Sequence, residues 1–533
     1  MNNNSNEDDR IKEPTTLAIK FANAVFVFGI LLSVLIAVYA LYRIYHPLSI
    51  TDSSFYHKII LVAGFLTTLF SLGLCLKNSL KVNSSMLLVT IVISVYGFES
   101  YLEFSHLEFS LNNRVPCELL RQVKAKQMGV PFDTRTIWEV LEQLNDAGIK
   151  AYLNELGLLP REHIVSNGFN TFSGLIFPLG GISNTTSIIS NESGYYPIIE
   201  TDEHGFNNPK GLYKKNKVDI MLLGDSFAEG YSVHSDETIA AVLRKPGLNV
   251  ISLGKAGNGS LLNLATLIEY AKPMKPKIVL WLYFFNDLGF LEQEMKSPLL
   301  RKYLNQDTFS QNLITRQKEI DSVLRNYVSS LLEPMKLKRE RELQCKLEAE
   351  RNMILPAKRI ITLSNIWIRV RTVFPPSLPP ISKDNFHYIL QKSKQMVSEW
   401  GGEMYFVYMP DYNRQSTGKE DSNREFALYT ATKLKIPIID IHKEVFAHHP
   451  DPLSLFPFRT RGHYTAEGYR LVAEAIANKL VVDDVLPTNS IKATQTLEEL
   501  VNNLSTDDGR SNIDEMDEIE ETLIQSLHET TIY

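Results

Sequence analysis

The chain has 533 residues, of which 44% are hydrophobic and 22% charged, a composition that excludes a disordered or collagen-like protein. Its 55 basic and 61 acidic residues leave a net charge of −6, which gives no electrostatic support for a nucleic-acid partner. Three cysteines without C-x-x-C spacing exclude a disulfide scaffold, a zinc ribbon and a redox motif of that type.

The first fifth of the chain contains three long apolar runs. Phe21–Tyr42 has 22 residues without a charge, Ile59–Leu76 has 18 and Val82–Phe98 has 17. A membrane-spanning helix needs about 20 apolar residues and tolerates roughly 17, so the pattern predicts three spans. A signal peptide is the rejected alternative, because the first run is longer than the apolar region of such a peptide and no small-residue cleavage site follows it.

The positive charges beside these runs predict their orientation, because cytoplasmic loops carry the excess of Lys and Arg. One side has five such residues and the other has two. The five are Arg10, Lys12, Lys20, Lys77 and Lys81, and the two are Arg43 and Lys58. We therefore expect a multi-pass protein of the cell (inner) membrane, with everything after Phe98 outside the cytoplasm.

Five short apolar runs alternate with amphipathic stretches in the second half of the chain. Continuous apolar strands that alternate with helices predict an α/β domain with a parallel sheet buried on both faces. A final amphipathic helix is predicted over Ala466–Leu480. The predicted strands are Val218–Leu223, Asn249–Leu253, Lys277–Phe284, Met404–Met409 and Pro437–Ile441.

A long insertion, residues 288–402, separates the third and fourth predicted strands. Within it, the charges of Lys336–Arg351 nearly balance, which is typical of a solvated helix face, with a lid or docking arm as the alternative. The apolar stretch Ile360–Phe374 has basic residues around it. It either packs against the core or lies on a membrane surface.

These patterns divide the chain into a cytoplasmic tail (1–20), three transmembrane helices (21–98), an extracytoplasmic connecting region (99–215), an α/β domain (216–482) and an acidic tail (483–533). The last region is predicted to be disordered, because Leu497–Tyr533 holds 11 acidic residues against one arginine, Arg510.

Four polar motifs stand at predicted strand ends or at a helix start. Ser226 in Gly224-Asp225-Ser226 is a candidate nucleophile or part of a helix cap. The glycine-rich turn that includes Gly257 follows the second strand, but its G-x-x-G-x-G order differs from the dinucleotide fingerprint. Asn286 follows the third strand, where helix capping is the alternative. His463 precedes the last helix, where a surface histidine is the alternative.

The order Ser226, Gly257, Asn286 and His463 resembles the SGNH/GDSL hydrolase superfamily over roughly Val218–Leu480. The blocks of that family are G-D-S, a glycine after the second strand, G-x-N-D and D-x-x-H. The resemblance implies a flavodoxin-like, three-layer α/β fold. The lead Asp202-Glu203-His204-Gly205-Phe206 before G-D-S-F is also similar to the membrane-anchored branch of alginate-type polysaccharide O-acetyltransferases.

The resemblance implies that Ser226 attacks an ester carbonyl and that His463 accepts its proton. It places the oxyanion among the backbone N–H groups of Ser226 and Gly257 and the side-chain amide of Asn286. No metal or cofactor is expected.

Two positions depart from the family pattern. Phe284 replaces the glycine of G-x-N-D, and Thr460 stands where D-x-x-H has its aspartate. The carboxylate that orients the histidine is therefore missing from its usual place. Asp451, the nearest upstream carboxylate, is the candidate orienter of His463, and a backbone carbonyl is the alternative.

The expected function is that of a serine esterase or O-acyltransferase acting on acyl esters, chiefly acetyl esters, of surface glycans. Its expected partners are the membrane bilayer and a glycan or other acyl-ester substrate, with no nucleic acid. Three spans are too few for a polytopic acyl exporter, so transfer would require a separate polytopic acyltransferase. The alternative is a catalytically inactive, SGNH-like glycan-binding or assembly protein.

Overall fold

The computed structural model describes residues 14–45, 53–104, 117–154, 168–215, 217–351, 354–373, 383–418 and 423–487. The chain divides into two compact units. Residues 1–113 and 344–376 form the first, called here the membrane unit, and residues 114–343 and 377–533 form the second, called the sheet unit. Most of the predicted acidic tail lies outside the described residues.

The helices are numbered in chain order. They are α1 (Thr16–Tyr45), α2 (Ser53–Leu74), α3 (Asn78–Phe104), α4 (Cys117–Met128), α5 (Ile137–Asp146), α6 (Ser226–Glu229), α7 (Ile239–Arg244), α8 (Ser260–Thr266), α9 (Asp287–Glu294), α10 (Pro298–Asn305), α11 (Gln317–Arg351), α12 (Ile354–Ile361), α13 (Ser364–Val373), α14 (Lys383–Glu399), α15 (Tyr412–Thr417), α16 (Arg424–Lys433) and α17 (Ala466–Val482). A π-helical segment, Leu267–Ala271, and a helical turn, Lys272–Met274, continue α8. Other single turns are Leu212–Lys214, Leu313–Thr315, His442–Phe446, Pro452–Leu455 and Pro457–Arg459.

The strands are likewise numbered in chain order. They are β1 (Ala151–Leu153), β2 (Phe169–Thr171), β3 (Gly174–Ile176), β4 (Thr186–Ile188), β5 (Ile198–Glu200), β6 (Ile220–Leu223), β7 (Val250–Ser252), β8 (Ile278–Tyr283), β9 (Glu403–Tyr408) and β10 (Ile438–Asp440).

The membrane unit contains three helices that are long and apolar enough to cross a bilayer. Their mean hydropathies are 2.8 for α1, 1.6 for the Tyr56–Leu74 part of α2 and 1.6 for α3. Glycine permits close packing of α1 on α2, since a Cβ at Gly29 would lie 2.8 Å from the Phe70 ring. Helices α1 and α3 extend beyond their predicted apolar runs at both ends, whereas α2 begins six residues before its run and ends at Leu74, two residues before the end of that run.

The sheet unit is built on five parallel strands in the order β10-β9-β8-β6-β7. The central strand β8 pairs with β6 on one side and β9 on the other, with Leu280 opposite both Leu222 and Tyr405. All five predicted strands are present, with ends within a few residues of the predicted ones. The carboxyl ends of parallel strands meet at one edge, and there the polar motifs come together.

Both faces of this sheet are buried, as the continuous apolar strands predict. In β8, Val279 and Trp281 belong to one hydrophobic cluster, whereas Leu280 and Leu282 belong to another. The first cluster includes residues of α8, α10, α14 and α16, and the second includes residues of α7 and α17. Successive side chains of each strand therefore point to opposite faces of the sheet, and helices pack against both faces.

The connecting region contains structure that the sequence did not predict. Strands β1, β4 and β5 form a mixed three-stranded sheet, in which β4 is parallel to β1 and antiparallel to β5. Strands β2 and β3 form an antiparallel pair. The loop that joins β4 to β5 contains Glu192, which contributes to the site described below.

Candidate active site

Ser226 is the first residue of α6, directly after β6 and a sharp turn at Gly224 and Asp225. Only glycine fits at position 224, because a Cβ there would lie 2.9 Å from the Ala228 Cβ and 3.1 Å from the Leu282 Cβ. Asp225 is the N-cap residue, and its Oδ1 accepts a hydrogen bond from the Phe227 N–H at 3.0 Å. Capping is thus the role of Asp225, which leaves the Ser226 hydroxyl to point into the pocket.

His463 lies two residues before Thr465, the N-cap of α17, whose Oγ1 accepts from the Gly468 N–H at 3.2 Å. The neighbouring Tyr464 is fully buried, and its hydroxyl donates to the carbonyl of Pro410. These anchors hold the imidazole so that its Nε2 lies 2.7 Å from the Ser226 Oγ. The histidine is therefore within hydrogen-bond reach of the candidate nucleophile.

Glu192 occupies the other side of the imidazole. Its Oε2 lies 2.9 Å from the His463 Nδ1 and accepts a hydrogen bond from the His463 backbone N–H, also at 2.9 Å. Its Oε1 pairs with Arg121 of α4 at 3.2 Å. Because the carboxylate accepts from Nδ1, the tautomer has the proton there and Nε2 is free to accept from Ser226.

The environment of Glu192 keeps it ionised. Burial by itself would raise its pKa, but interaction with His463 and Arg121 outweighs burial and holds the pKa well below its ordinary value. The glycine before the histidine makes this approach possible, since a Cβ at Gly462 would lie 2.8 Å from both the Glu192 Oε2 and the Arg121 Nη2.

The prediction that Asp451 orients His463 is corrected by this geometry. The Asp451 carboxylate instead forms an ion pair with Arg459, and both side chains are largely exposed. Thr460, at the position of the family's aspartate, donates its hydroxyl proton to the carbonyl of Pro457 at 2.9 Å. A carboxylate from the connecting region thus takes the place that the D-x-x-H motif leaves empty.

Gly257 lies in a loop that a buried ion pair braces. The Glu229 carboxylate, at the end of α6, contacts the Lys255 Nζ at 2.5 Å and accepts from the Ala256 N–H at 2.7 Å. Asn154 contacts both charged groups, donating to Glu229 at 2.8 Å and accepting from Lys255 at 3.1 Å. The turn before Gly257 is therefore fixed to the same short helix that begins with Ser226.

The lead motif also braces this edge of the sheet. The Asp202 Oδ1 accepts from the backbone N–H groups of His204 and Phe206, at 2.8 and 3.0 Å. Its Oδ2 accepts from Asn208, which in turn bonds the backbone of Ser252 in β7. The motif acts by fixing the strand that precedes the glycine-rich turn.

Asn286 follows β8 and stands at the N-cap position of α9, but its side chain makes no capping hydrogen bond. Among the residues that the structure describes, its buried Oδ1 has no hydrogen-bond partner. The capping alternative is therefore not the role of this amide. It lines the same pocket as Ser226 and Gly257.

The pocket has a volume of about 480 Å³, within the range of small-molecule sites. Its lining includes all four predicted residues, Ser226, Gly257, Asn286 and His463, together with Glu192. Aromatic side chains form much of the remaining wall. They are Phe227, Tyr231, Phe284, Phe285, Phe290 and Tyr412.

Glu192 is the residue that sequence reasoning missed. It lies 271 positions before His463, in a short polar turn, Ser190–Gly194, with no catalytic motif around it. The only signal in the sequence was the absence of an aspartate at position 460, which left the partner of His463 to be supplied by another carboxylate or by a backbone carbonyl.

No protein-family model matches the chain, and no curated protein matches it in sequence. Among solved structures, the lipase/acylhydrolase from Enterococcus faecalis is 13% identical, with a TM-score of 0.28 over 49% of this chain and 95% of that one. The acetyl xylan esterase AlAXEase is 11% identical, with a TM-score of 0.28 over 49% of this chain and 100% of that one. A putative lipolytic protein of the G-D-S-L family from Desulfitobacterium hafniense DCB-2 is 14% identical, with a TM-score of 0.25 over 51% and 100% of the respective chains. At these TM-scores the likeness carries no conclusion about activity, and the chemistry of the pocket rests on its own residues.

Proposed function

We propose that the protein is a membrane-anchored serine enzyme of the SGNH type that acts on acyl esters. The observation that carries this proposal is the hydrogen-bond series from the Ser226 Oγ to the His463 Nε2, at 2.7 Å, and from the His463 Nδ1 to Glu192, at 2.9 Å. Serine, histidine and carboxylate in this order are the arrangement that activates a hydroxyl group as a nucleophile.

In the proposed reaction, the Ser226 oxygen attacks the carbonyl carbon of the ester while its proton passes to the His463 Nε2. The ionised Glu192 stabilises the imidazolium that forms and keeps its ring in place. The imidazolium then protonates the leaving alkoxide, and an acyl group remains on Ser226. Water or a second hydroxyl group resolves this acyl-enzyme with the same histidine as base.

The proposed oxyanion donors are the backbone N–H groups of Ser226 and Gly257 and the side-chain amide of Asn286. Each such donor typically contributes about 3–4 kcal/mol to stabilising the transition state. Two supports come from the fold: Ser226 opens a helix, where backbone N–H groups favour negative charge, and the Asn286 side chain is not engaged in a cap.

A glycan ester is the proposed substrate class. Aromatic side chains around the pocket, including Phe285 and Tyr412, offer flat apolar surfaces for the carbon-bearing face of a sugar ring. The charge asymmetry beside the spans supports a sheet unit outside the cytoplasm, where such glycans are found. Hydrolysis and transfer share the acyl-enzyme, and the proposal includes both.

The proposed fold family agrees with the strand order. Counted along the sheet from β7 and numbered by chain order from β6, the five parallel strands run 2-1-3-4-5, the flavodoxin-like order. The lead motif that begins at Asp202 supports placing the protein in the membrane-anchored branch that resembles polysaccharide O-acetyltransferases.

An inactive binding protein was favoured only by the missing aspartate at position 460. Glu192 removes that argument, since it supplies a buried, ionised carboxylate at the Nδ1 of His463. A protein that had lost catalysis would have no need to keep the histidine in the tautomer that accepts the serine proton.

The test uses the full chain in detergent, a fluorophosphonate probe and an aryl acetate. We expect the probe to label Ser226, and Ser226→Ala to abolish labelling and to lower the rate of acetate release by about a million-fold. Ser190→Ala is the matched control, because Ser190 lines the same pocket and should leave labelling unchanged. Equal rates for wild type and Ser226→Ala would refute the nucleophile, and a wild type inert toward both reagents would restore the binding-protein alternative.

A further inference from the structure

The third span contains two buried carboxylates. Glu99 is fully buried and Glu103 is 4% exposed, although both lie in α3, near the end of a helix suited to cross a membrane. Ionisable groups in such a position are costly unless they are paired, and they usually mark a functional contact.

The partners of both carboxylates come from the insertion. Glu99 receives hydrogen bonds from the backbone N–H groups of Asn365 and Ile366, at 2.8 and 2.9 Å. These are among the first N–H groups of α13, which have no partner inside their own helix. The carboxylate therefore caps α13 and offsets its positive end.

Glu103 and Arg359 complete the contact. The Asn365 side-chain amide donates to the carboxylates of both Glu99 and Glu103, at 2.8 Å each. Arg359 of α12 forms an ion pair with Glu103 at 3.4 Å. All these residues belong to the membrane unit, so the α12–α13 hairpin packs on α3 within one compact body.

The hairpin reaches the apolar part of α3. The Tyr96 hydroxyl donates to the carbonyl of Ile361 at 3.4 Å. Tyr96 lies inside the apolar run Val82–Phe98 and, at 1.5 Å per residue, about 12 Å before the end of α3. The turn between α12 and α13 is therefore level with the apolar segment rather than beyond it.

The side of the hairpin away from these contacts is apolar and exposed. Ile361 is 69% exposed, Trp367 56% and Val370 38%. Trp367 and Val370 are three residues apart in α13 and share one face of the helix. The same end of α3 also exposes two large apolar side chains, Phe98 at 52% and Tyr101 at 62%.

We propose that the α12–α13 hairpin lies in the boundary between headgroups and acyl chains of the bilayer, with lipid as the occupant of its exposed face. Two observations carry this proposal: the depth set by Tyr96, and an exposed apolar face on a hairpin that packs against a spanning helix. A helix with an apolar face and basic residues at its edge binds such a boundary. The exposed Lys358 supplies a basic edge suited to anionic headgroups. The insertion is thus a second membrane contact, independent of catalysis.

Tryptophan fluorescence tests this placement, because the four tryptophans, Trp138, Trp281, Trp367 and Trp400, all lie outside the three spans by sequence. The full chain is reconstituted in nanodiscs of phosphatidylcholine and phosphatidylglycerol, with acyl chains brominated close to the headgroup. We expect brominated lipid to quench the wild-type emission. Trp367→Phe should remove that quenching, whereas Trp138→Phe, in the sheet unit, should retain it.

Asn365→Ala removes the amide that joins Glu99 to Glu103, and we expect it to lower the quenching while Trp367 remains present. Circular dichroism and fluorophosphonate labelling check that each variant is folded. Quenching that Trp367→Phe leaves unchanged would overturn the proposal. So would a Trp367 that aqueous acrylamide quenches fully and brominated lipid does not, as expected for a face in water. A Trp367 that neither reagent quenches, as expected for a face covered by a protein partner, would also overturn it.

Discussion

The sheet and the β4–β5 loop supply the pocket in different ways. The sheet places Ser226 and Asn286 at the carboxyl ends of two neighbouring strands, where short motifs follow each strand directly. The loop supplies Glu192. It joins two strands of a small separate sheet, and Glu192 contacts His463 by a hydrogen bond between segments that are distant in sequence. Residues at strand ends are positioned by secondary structure, whereas Glu192 is positioned by its ion pair with Arg121 and by the absence of a side chain at Gly462.

The groups proposed to touch the substrate and the group proposed to orient the base are therefore subject to separate constraints. A nucleophile and an oxyanion donor must keep fixed positions relative to the ester. The orienting carboxylate needs only to reach Nδ1, so any nearby chain segment can supply it.

Glu192→Gln is the variant with the largest expected effect, because it tests the carboxylate that the loop supplies. A neutral amide removes the charge that stabilises the imidazolium and permits the wrong tautomer, and the equivalent change in a serine-protease triad costs about ten-thousand-fold in kcat. We expect a loss of that size in aryl acetate release by the full chain. Asp451→Asn is the control and should keep the wild-type rate. A large loss in the control with a normal Glu192→Gln enzyme would return the role to Asp451.

Asn286→Ala tests the contribution of the sheet. The amide makes no capping bond, so its removal should leave the free energy of unfolding nearly unchanged. Loss of one oxyanion donor should lower kcat by about a hundred- to a thousand-fold. Turnover and thermal unfolding are measured on the same sample. A destabilised variant with normal kcat would contradict the oxyanion role.

The smallest effect concerns acid stability. Since the pKa of Glu192 in the folded protein lies below its unfolded value of about 4.3, its stabilising contribution is complete above that pH and is lost as the pH falls through the folded pKa. The free energies of unfolding of wild type and Glu192→Gln in denaturant should therefore differ most near neutral pH, and the difference should begin to shrink below about pH 4. A difference that stays constant from pH 7 to pH 3 would show that folding does not lower the pKa of Glu192.

The five strands and the three long N-terminal helices were predictable because each contains a continuous apolar segment, which leaves a local pattern in the sequence. The four motif residues were predictable because parallel strands end at one edge. The strands of the connecting region are three residues long and carry no such pattern. Glu192 is fixed by contacts between distant segments, and no local rule describes those.

The stretch Ile360–Phe374 is a second case in which the local sequence did not decide the structure. Its apolar and basic residues were compatible with either packing or a membrane surface. The choice depends on Glu99 and Glu103, more than 250 residues away in the chain, which receive the hydrogen bonds of Asn365.

The membrane unit consists of two separate segments of the chain, so the backbone passes between the membrane unit and the sheet unit more than once. A protease that cuts between α3 and α4 breaks the first backbone connection between the units. The two connections at either end of residues 344–376 remain intact. Separating the sheet unit from every part of the membrane unit would thus require three cuts, one at each boundary between them. A fragment that begins after α3 would still carry α12 and α13, but without the carboxylates that cap α13 and pair with Arg359.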